Sequence, residues 1–191
     1  MRKPALDARA ALGLIHHGPV VLVTARDGRR TDIITVAWVA PVSGEPPMVA
    51  VAISPRRFSH GLIRRSGEFV VNVPSSGLLA AVWLCGSLSG RDTDKFEAAR
   101  LTAARAQSVG APLIAECFGH LECRVEKRVT AGDHTVFVGR VVAASADRAA
   151  FGKHLRLAAG SHTLHHIGGR RFLTSAGTVL EAGKRAPRRR R

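Results

Sequence analysis

Apolar residues run through this chain in short blocks, and most blocks are separated by turn residues rather than by helical stretches. Val20 to Ala25 is a β-branched run that ends in Arg26-Asp27-Gly28-Arg29. Asp-Gly between two apolar runs predicts a hairpin, with Asp32 to Ala40 as the returning strand. Pro41 to Pro47 collects Pro, Ser and Gly and reads as a loop. Met48 to Ile53 is a fully apolar third strand, stopped by Ser54-Pro55. Ser59 then caps a short helix through Arg65, which Gly67 terminates. Glu68 to Val73 is a fourth strand, stopped by Pro74.

Helical patterns cover Gly77 to Leu84 and Asp94 to Ala106, and a short N-terminal helix is expected over Leu12 to His17. Leu113-Ile114-Ala115 reads as a short buried segment. His120 to Lys127 alternates, with Leu121, Cys123 and Val125 on one face and Glu122, Arg124 and Glu126 on the other. The turn Thr130-Ala131-Gly132-Asp133 leads into Thr135 to Ala144, expected to be the longest strand. Leu164 to Thr174 suggests one more strand around a Gly168-Gly169 bend. Six or seven strands, joined mainly by turns, predict a mainly β, antiparallel barrel with peripheral helices and not a doubly wound sheet.

Composition narrows the reading. A length of 191 residues suggests one domain, taken as residues 1–180, and a basic, disordered tail at 181–191. No apolar run reaches the roughly 18 residues of a membrane span. The start Met-Arg-Lys-Pro-Ala-Leu-Asp carries no apolar signal segment, so a cytoplasmic protein is expected. Cys85, Cys117 and Cys123 have no metal-ligand spacing and sit among apolar neighbours, as reduced, buried thiols do. His162, His165 and His166 have no Cys or carboxylate at ligand spacing, so no metal is expected. The net charge of +15 raises nucleic acid as a partner. Part of that charge is the separate tail, the other arginines are spread along the chain, aromatic residues make up only 5%, and there is no tyrosine for base stacking.

The chemistry-bearing stretch is Ser89-Gly90-Arg91-Asp92-Thr93-Asp94-Lys95-Phe96, which opens a helical pattern. A Ser/Gly/Arg cluster at a helix start offers N–H groups, a hydroxyl and a guanidinium to an anion. The alternative is a capped helix behind a solvated turn. Arg57 and Ser59 stand where a strand passes into a helix and could converge on a phosphate; equally, Ser59 could be only a cap and Arg57 surface. Asn72, in an apolar strand, needs hydrogen-bond partners, from a ligand or from a loop carbonyl. Trp38 reads as a core residue.

Five motifs in order resemble the flavin reductase-like family, whose fold is the FMN-binding split β-barrel, and the flavoredoxin branch in particular. They are Asp32 to Trp38, Ser54 to Ser59, Gly67 to Pro74, Ser89 to Phe96, and Gly132 to Thr135 before Val138-Gly139. The resemblance covers Gly18 to Ala144. It implies FMN, with Ser54, Arg57 and Ser59 on the phosphate side and Thr35 with the backbone of Val36 and Ala37 against the flavin ring. It also implies Asn72 at the flavin edge, and Ser89, Gly90, Asp94, Lys95 and Phe96 in the cofactor neighbourhood. Lys95 would bring positive charge to the flavin or its phosphate, unless it is a solvent-exposed helix lysine. His134 would face the nicotinamide of NADH or NADPH, or merely close a hairpin. Asp32 stands where relatives often have Asn, and Ala37 where many have Ser.

The resemblance implies an NAD(P)H:flavin reductase that passes electrons to flavin or a partner monooxygenase, built as a homodimer with FMN at the interface. Alternatives are a flavoredoxin-like FMN electron carrier without NAD(P)H oxidation and, from another class, a basic nucleic-acid-binding barrel. The tail holds no apolar residue able to dock firmly, and its charges repel one another. Removal of residues 184–191 is therefore expected to leave FMN affinity unchanged in a fluorescence titration, and a clear loss would show that the tail reaches the site.

Overall fold

The structure is a computed structural model and describes residues 3–156 and 162–175. The expected tail at 181–191 lies outside the described residues. Seven strands form one antiparallel sheet: β1 (Val21–Asp27), β2 (Arg30–Val36), β3 (Val39–Gly44), β4 (Pro47–Ile53), β5 (Glu68–Val73), β8 (Gly119–Ala131) and β9 (His134–Ala146). Their order across the sheet is β2-β1-β5-β8-β9-β4-β3. Two short pairs stand apart, β6 (Ala103–Ala104) with β7 (Leu113–Ile114), and β10 (Leu164–Gly168) with β11 (Arg171–Thr174). The helices are α1 (Ala8–Ala11), α2 (Phe58–Ser66), α3 (Leu79–Ser87) and α4 (Lys95–Ala98).

β2 and β3 are the two edges of the sheet, yet only Ala37 and Trp38 separate them in the chain. Consecutive Cα atoms are about 3.8 Å apart, so the sheet must curl until its edges almost meet. The result is a barrel left open between β2 and β3. Its inside is filled by Val21, Val23, Ile34, Val36, Val51, Phe69 and Phe137, and α2 contributes Leu62 and Ile63 to the same core. A second core lies on the outer face of the β1–β2 hairpin, where Leu22 and Ile33 meet Ala81, Val82 and Cys85 of α3. β1 is thus buried on both faces, which explains its unbroken apolar run.

The expected hairpin turn forms at Asp27-Gly28, with Gly28 at φ 58°, and pairs Val21 with Val36. β5 has the expected bounds, and Gly67 closes α2 at φ 71°. Other expectations are corrected. Pro41 to Pro47 is not a loop: Val39–Gly44 is an edge strand paired with β4, where a proline without an N–H is tolerated. The helix expected through Ala106 stops at Ala98, and Arg100 takes φ 53° as Leu101 turns into the outer core. The N-terminal helix is Ala8–Ala11, capped by Asp7, and Leu12–Leu14 is a 3-10 turn. Leu164 to Thr174 forms a hairpin of two strands. β8 and β9 are equally long. Leu121, Cys123 and Val125 face the barrel core as the alternation predicts, and Glu122 on the opposite face is buried because it accepts from the N–H groups of Gln107 (2.9 Å) and Ser108 (2.5 Å). All three cysteines are free and buried, and burial pushes the Cys117 and Cys123 thiols up to about 12.

The fully buried Phe69 ring lies on bare backbone at Gly139: a Cβ there would sit 2.6 Å from the ring and 2.9 Å from Cys123 Cβ. Gly139→Ala overpacks this contact and should cost about 1–3 kcal/mol. Denaturant unfolding reads the loss, and an unchanged midpoint would show that Phe69 can move aside.

Candidate functional site

The opening between β2 and β3 holds a cavity of about 700 Å³. Ile34, Thr35, Val36, Ala37 and Trp38 form one wall, and Val82, Trp83, Gly86 and Ser87 of α3 form another. Ala52 and Ser54 at the end of β4, with Arg56, Arg57 and His134 beside them, close one side; the β10–β11 hairpin, through His166, Gly169 and Phe172, adds another wall. Gly86 lets α3 lie close to β2, because a Cβ there would stand 3.2 Å from Thr35 Cβ. The Thr35 hydroxyl donates to Val82 O at 2.5 Å, so it ties the two walls together.

Arg56, Arg57, Ile34 and Gly86 also line an annex of about 100 Å³. Its other walls include Asp32, Ser59, Ser89, Arg91 and Lys95. Three arginines thus converge on a small recess beside the start of α2. Arg57 occupies the N-cap position of α2 without a side-chain capping bond. Arg91 donates to Arg56 O at 3.2 Å and lies over the Phe58 ring at 5.8 Å. The donor set and size suit one tetrahedral anion. The larger cavity falls within the roughly 300–1,000 Å³ of sites for compact organic ligands.

The family described as "Flavin reductase like domain" matches residues 13–170. The chain belongs to this family. A protein of Escherichia coli K12, YddH, is 34% identical over 186 residues, covering 94% of this chain and 95% of its own length. The NADH-dependent FMN reductase AsuE2 of Streptomyces nodosus subsp. asukaensis is 34% identical over 165 residues, covering 85% and 81%. An FMN-binding protein from Thermus thermophilus shares the fold with a TM-score of 0.84 and 26% identity, over 95% of this chain and 100% of that one. The antiparallel split barrel expected from the resemblance is therefore the fold of this flavin reductase-like protein.

The structure sorts the expected site residues into three groups. Thr35, Val36, Ala37, Ser54, Arg57 and His134 line the main cavity. Ser59, Ser89 and Lys95 line the annex with Arg57, and Gly90 closes over Asp32 beside it, where a Cβ would come within 2.2 Å of Oδ1. Asn72, Asp94 and Phe96 line neither. Asn72 donates to Leu22 O at 3.0 Å and accepts from Ile114 N–H at 2.9 Å, so its amide joins β1, β5 and β7 in the interior. Asp94 caps α4 through Phe96 N–H at 2.9 Å, and the Phe96 ring packs against the outer core.

Three side chains differ from their expected state. Ser59 does not cap α2; it is buried within the first turn and donates to Asp32 Oδ2. Lys95 is neither exposed nor free, because it is buried 3.0 Å from Asp32 Oδ1. Trp38 is not a core residue: 43% exposed, it stands at the mouth with its ring 4.7 Å from that of His134. The motifs did not single out His16, Trp83, Arg91, His166 or Phe172 as site residues. Arg91 lay inside the expected octet; the others come from distant segments that only the fold brings together.

A chain of hydrogen bonds crosses the mouth. Trp38 Nε1–H donates to His16 Nδ1 at 2.7 Å. That bond makes Nε2 the protonated nitrogen of neutral His16, which donates to His166 Nδ1 at 2.6 Å. His166 Nε2–H then donates to Gly169 O at 2.9 Å. Each ring is neutral in this arrangement, and an added proton would place two N–H groups face to face. Burial, and secondly His166, hold the His16 imidazole below its ordinary 6.5. The folded form therefore binds fewer protons than the unfolded form in the window just below pH 6.5, and the clasp is complete above that pH and lost as the pH falls. Trp38 fluorescence, read in a Trp83→Phe variant, should change on acidification below pH 6.5 and lose that change in His16→Gln. The same titration with and without His16 would show that the clasp does not control Trp38.

Proposed function

We propose that this protein is an FMN-dependent oxidoreductase, an NAD(P)H:flavin reductase. One observation carries the reading: a cavity large enough for a flat ring system, with Ile34, Val82, Trp83 and Phe172 among its walls, adjoins an annex lined by three arginines. A planar aromatic body joined to a single phosphate matches that pairing of volume and charge. The kinship with the Streptomyces NADH-dependent FMN reductase supports it.

Arg57, Arg91 and Arg56 would hold the phosphate. Ile34, Val82, Trp83 and Phe172 would supply the apolar surface for the ring, with the backbone of Val36 and Ala37 at its edge. FMN bound there would supply hydride acceptance from NADH or NADPH and onward electron transfer. The protein's part is to bind, orient and exclude water, so no nucleophilic side chain is required. His134 beside Trp38 would border the approach of the nicotinamide. The acceptor would be a free flavin or a partner monooxygenase in the cytoplasm.

The functional unit would be a homodimer with FMN at the interface. Leu12 and Ile15 are large apolar side chains left exposed beside His16 and Trp38 at the cavity mouth, as a surface awaiting a second copy would be. Light scattering with FMN present should give twice the chain mass at micromolar concentration, and a monomer would count against the interface.

The purified protein should take up FMN and then oxidise NADH or NADPH in steady state. FMN binding without that oxidation would point to the flavoredoxin-like carrier, and colourless protein with salt-sensitive DNA binding to the basic barrel. Arg57→Ala should weaken FMN more than tenfold while leaving riboflavin nearly unaffected, because a charge-assisted hydrogen bond contributes about 1.5–3 kcal/mol. Equal weakening of both flavins in a fluorescence titration would remove Arg57 from the phosphate.

A further inference from the structure

Behind the annex stands a buried carboxylate. Asp32 is 2% exposed and Lys95 5%, with Nζ 3.0 Å from Oδ1. The ammonium directs hydrogen bonds to the carbonyls of Ile33 (2.6 Å) and Cys85 (3.2 Å). Its attraction to Oδ1 is therefore Coulombic, and Oδ1 accepts no aligned hydrogen bond from any described group. Oδ2 takes the Ser59 hydroxyl proton. Gly90 leaves the only room the carboxylate has on that side, since any Cβ would collide with it.

The consequence is a matter of charge and protons. Of two annex side chains able to donate to an anion, Ser59 gives its proton to Asp32, while Lys95 gives Asp32 its charge and directs its hydrogen bonds to the Ile33 and Cys85 carbonyls. The buried pair sums to zero charge, so among the described residues the arginines make the annex positive. A carboxylate in a poorly solvated place also repels a neighbouring phosphate more strongly than it would in water.

We infer that Asp32 is a positioning residue that sets the annex's affinity for phosphate, by withholding the Ser59 proton and the Lys95 charge from it. The inference rests on the FMN reading above. It makes Asp32 the determinant of phosphate affinity, though its carboxylate opposes the ligand.

Asp32→Asn keeps the shape and removes the charge; with its amide oxygen toward Lys95 and its NH2 toward Ser59, it also frees the Ser59 proton. A buried ammonium left without its partner gains most from a new anion. The variant should therefore bind FMN about tenfold or more tightly than the native protein, with riboflavin changed by less than about twofold. Its melting temperature without ligand should fall, and FMN should raise it by more than in the native protein. Lys95→Met, which leaves the carboxylate alone, should weaken FMN selectively. Asp32→Asn with Lys95→Met removes both charges and should restore near-native affinity, so the cycle remains readable if Asp32→Asn does not fold by itself.

Fluorescence titrations with FMN and with riboflavin decide the matter. A rise in the FMN-to-riboflavin affinity ratio in Asp32→Asn, or its restoration in the double variant, supports the inference. A ratio that falls or stays unchanged in Asp32→Asn, or a double variant as weak as Lys95→Met, overturns it while leaving FMN binding intact. A native protein that binds neither flavin overturns the functional reading first, and this inference with it.

Discussion

Ala37 and Trp38 are the only link between two strands at opposite edges of a seven-stranded sheet. So short a tether cannot cross a flat sheet of that width, so the sheet closes on itself and leaves one gap beside the link. The gap is where the cavity lies. The same two residues line it, and the link sets Trp38 at its mouth. α2 adds Leu62 and Ile63 to the core inside the barrel, and α3 covers the β1–β2 hairpin from outside. Both helices therefore meet the gap from fixed directions, and their loops and ends carry most of the polar site residues.

That arrangement sorts the chemistry by depth. The broad cavity is walled by strand backbone, aliphatic side chains and aromatic rings, which favour a flat apolar body. The annex beside α2 gathers guanidinium groups that reach solvent, while the ion pair behind it is almost fully buried. A buried pair is weak support for stability, because desolvation offsets most of its attraction. Its position against an anion-sized recess gives it another role, that of controlling which donors an incoming anion meets. At the opposite side, segments from both ends of the described chain meet over the cavity through His16, His166 and Trp38. The bonds that His16 makes there need its neutral ring, and burial holds its imidazole below the ordinary value.

Local pattern by itself determined much of the scaffold. The Asp27-Gly28 turn, the apolar runs of β1, β4 and β5, and the left-handed Gly67 after α2 depend on residues adjacent in the chain, so they were legible before any fold was known. The five ordered motifs likewise carried the family. Tertiary structure alone decided the rest. Val39 to Gly44 is a strand because β4 offers an edge to pair with, although its Pro, Ser and Gly read locally as loop. The helix after Asp94 is short because Leu101 gains more by entering the outer core than by continuing the turn. Asn72 spends its amide on three strands, and Ser59 and Lys95 spend their protons and charge on Asp32, an Asp far from both in the chain. Residue type states what a side chain can donate or accept. Which partner receives it depends on distances between segments remote in sequence, and those exist only once the sheet has curled.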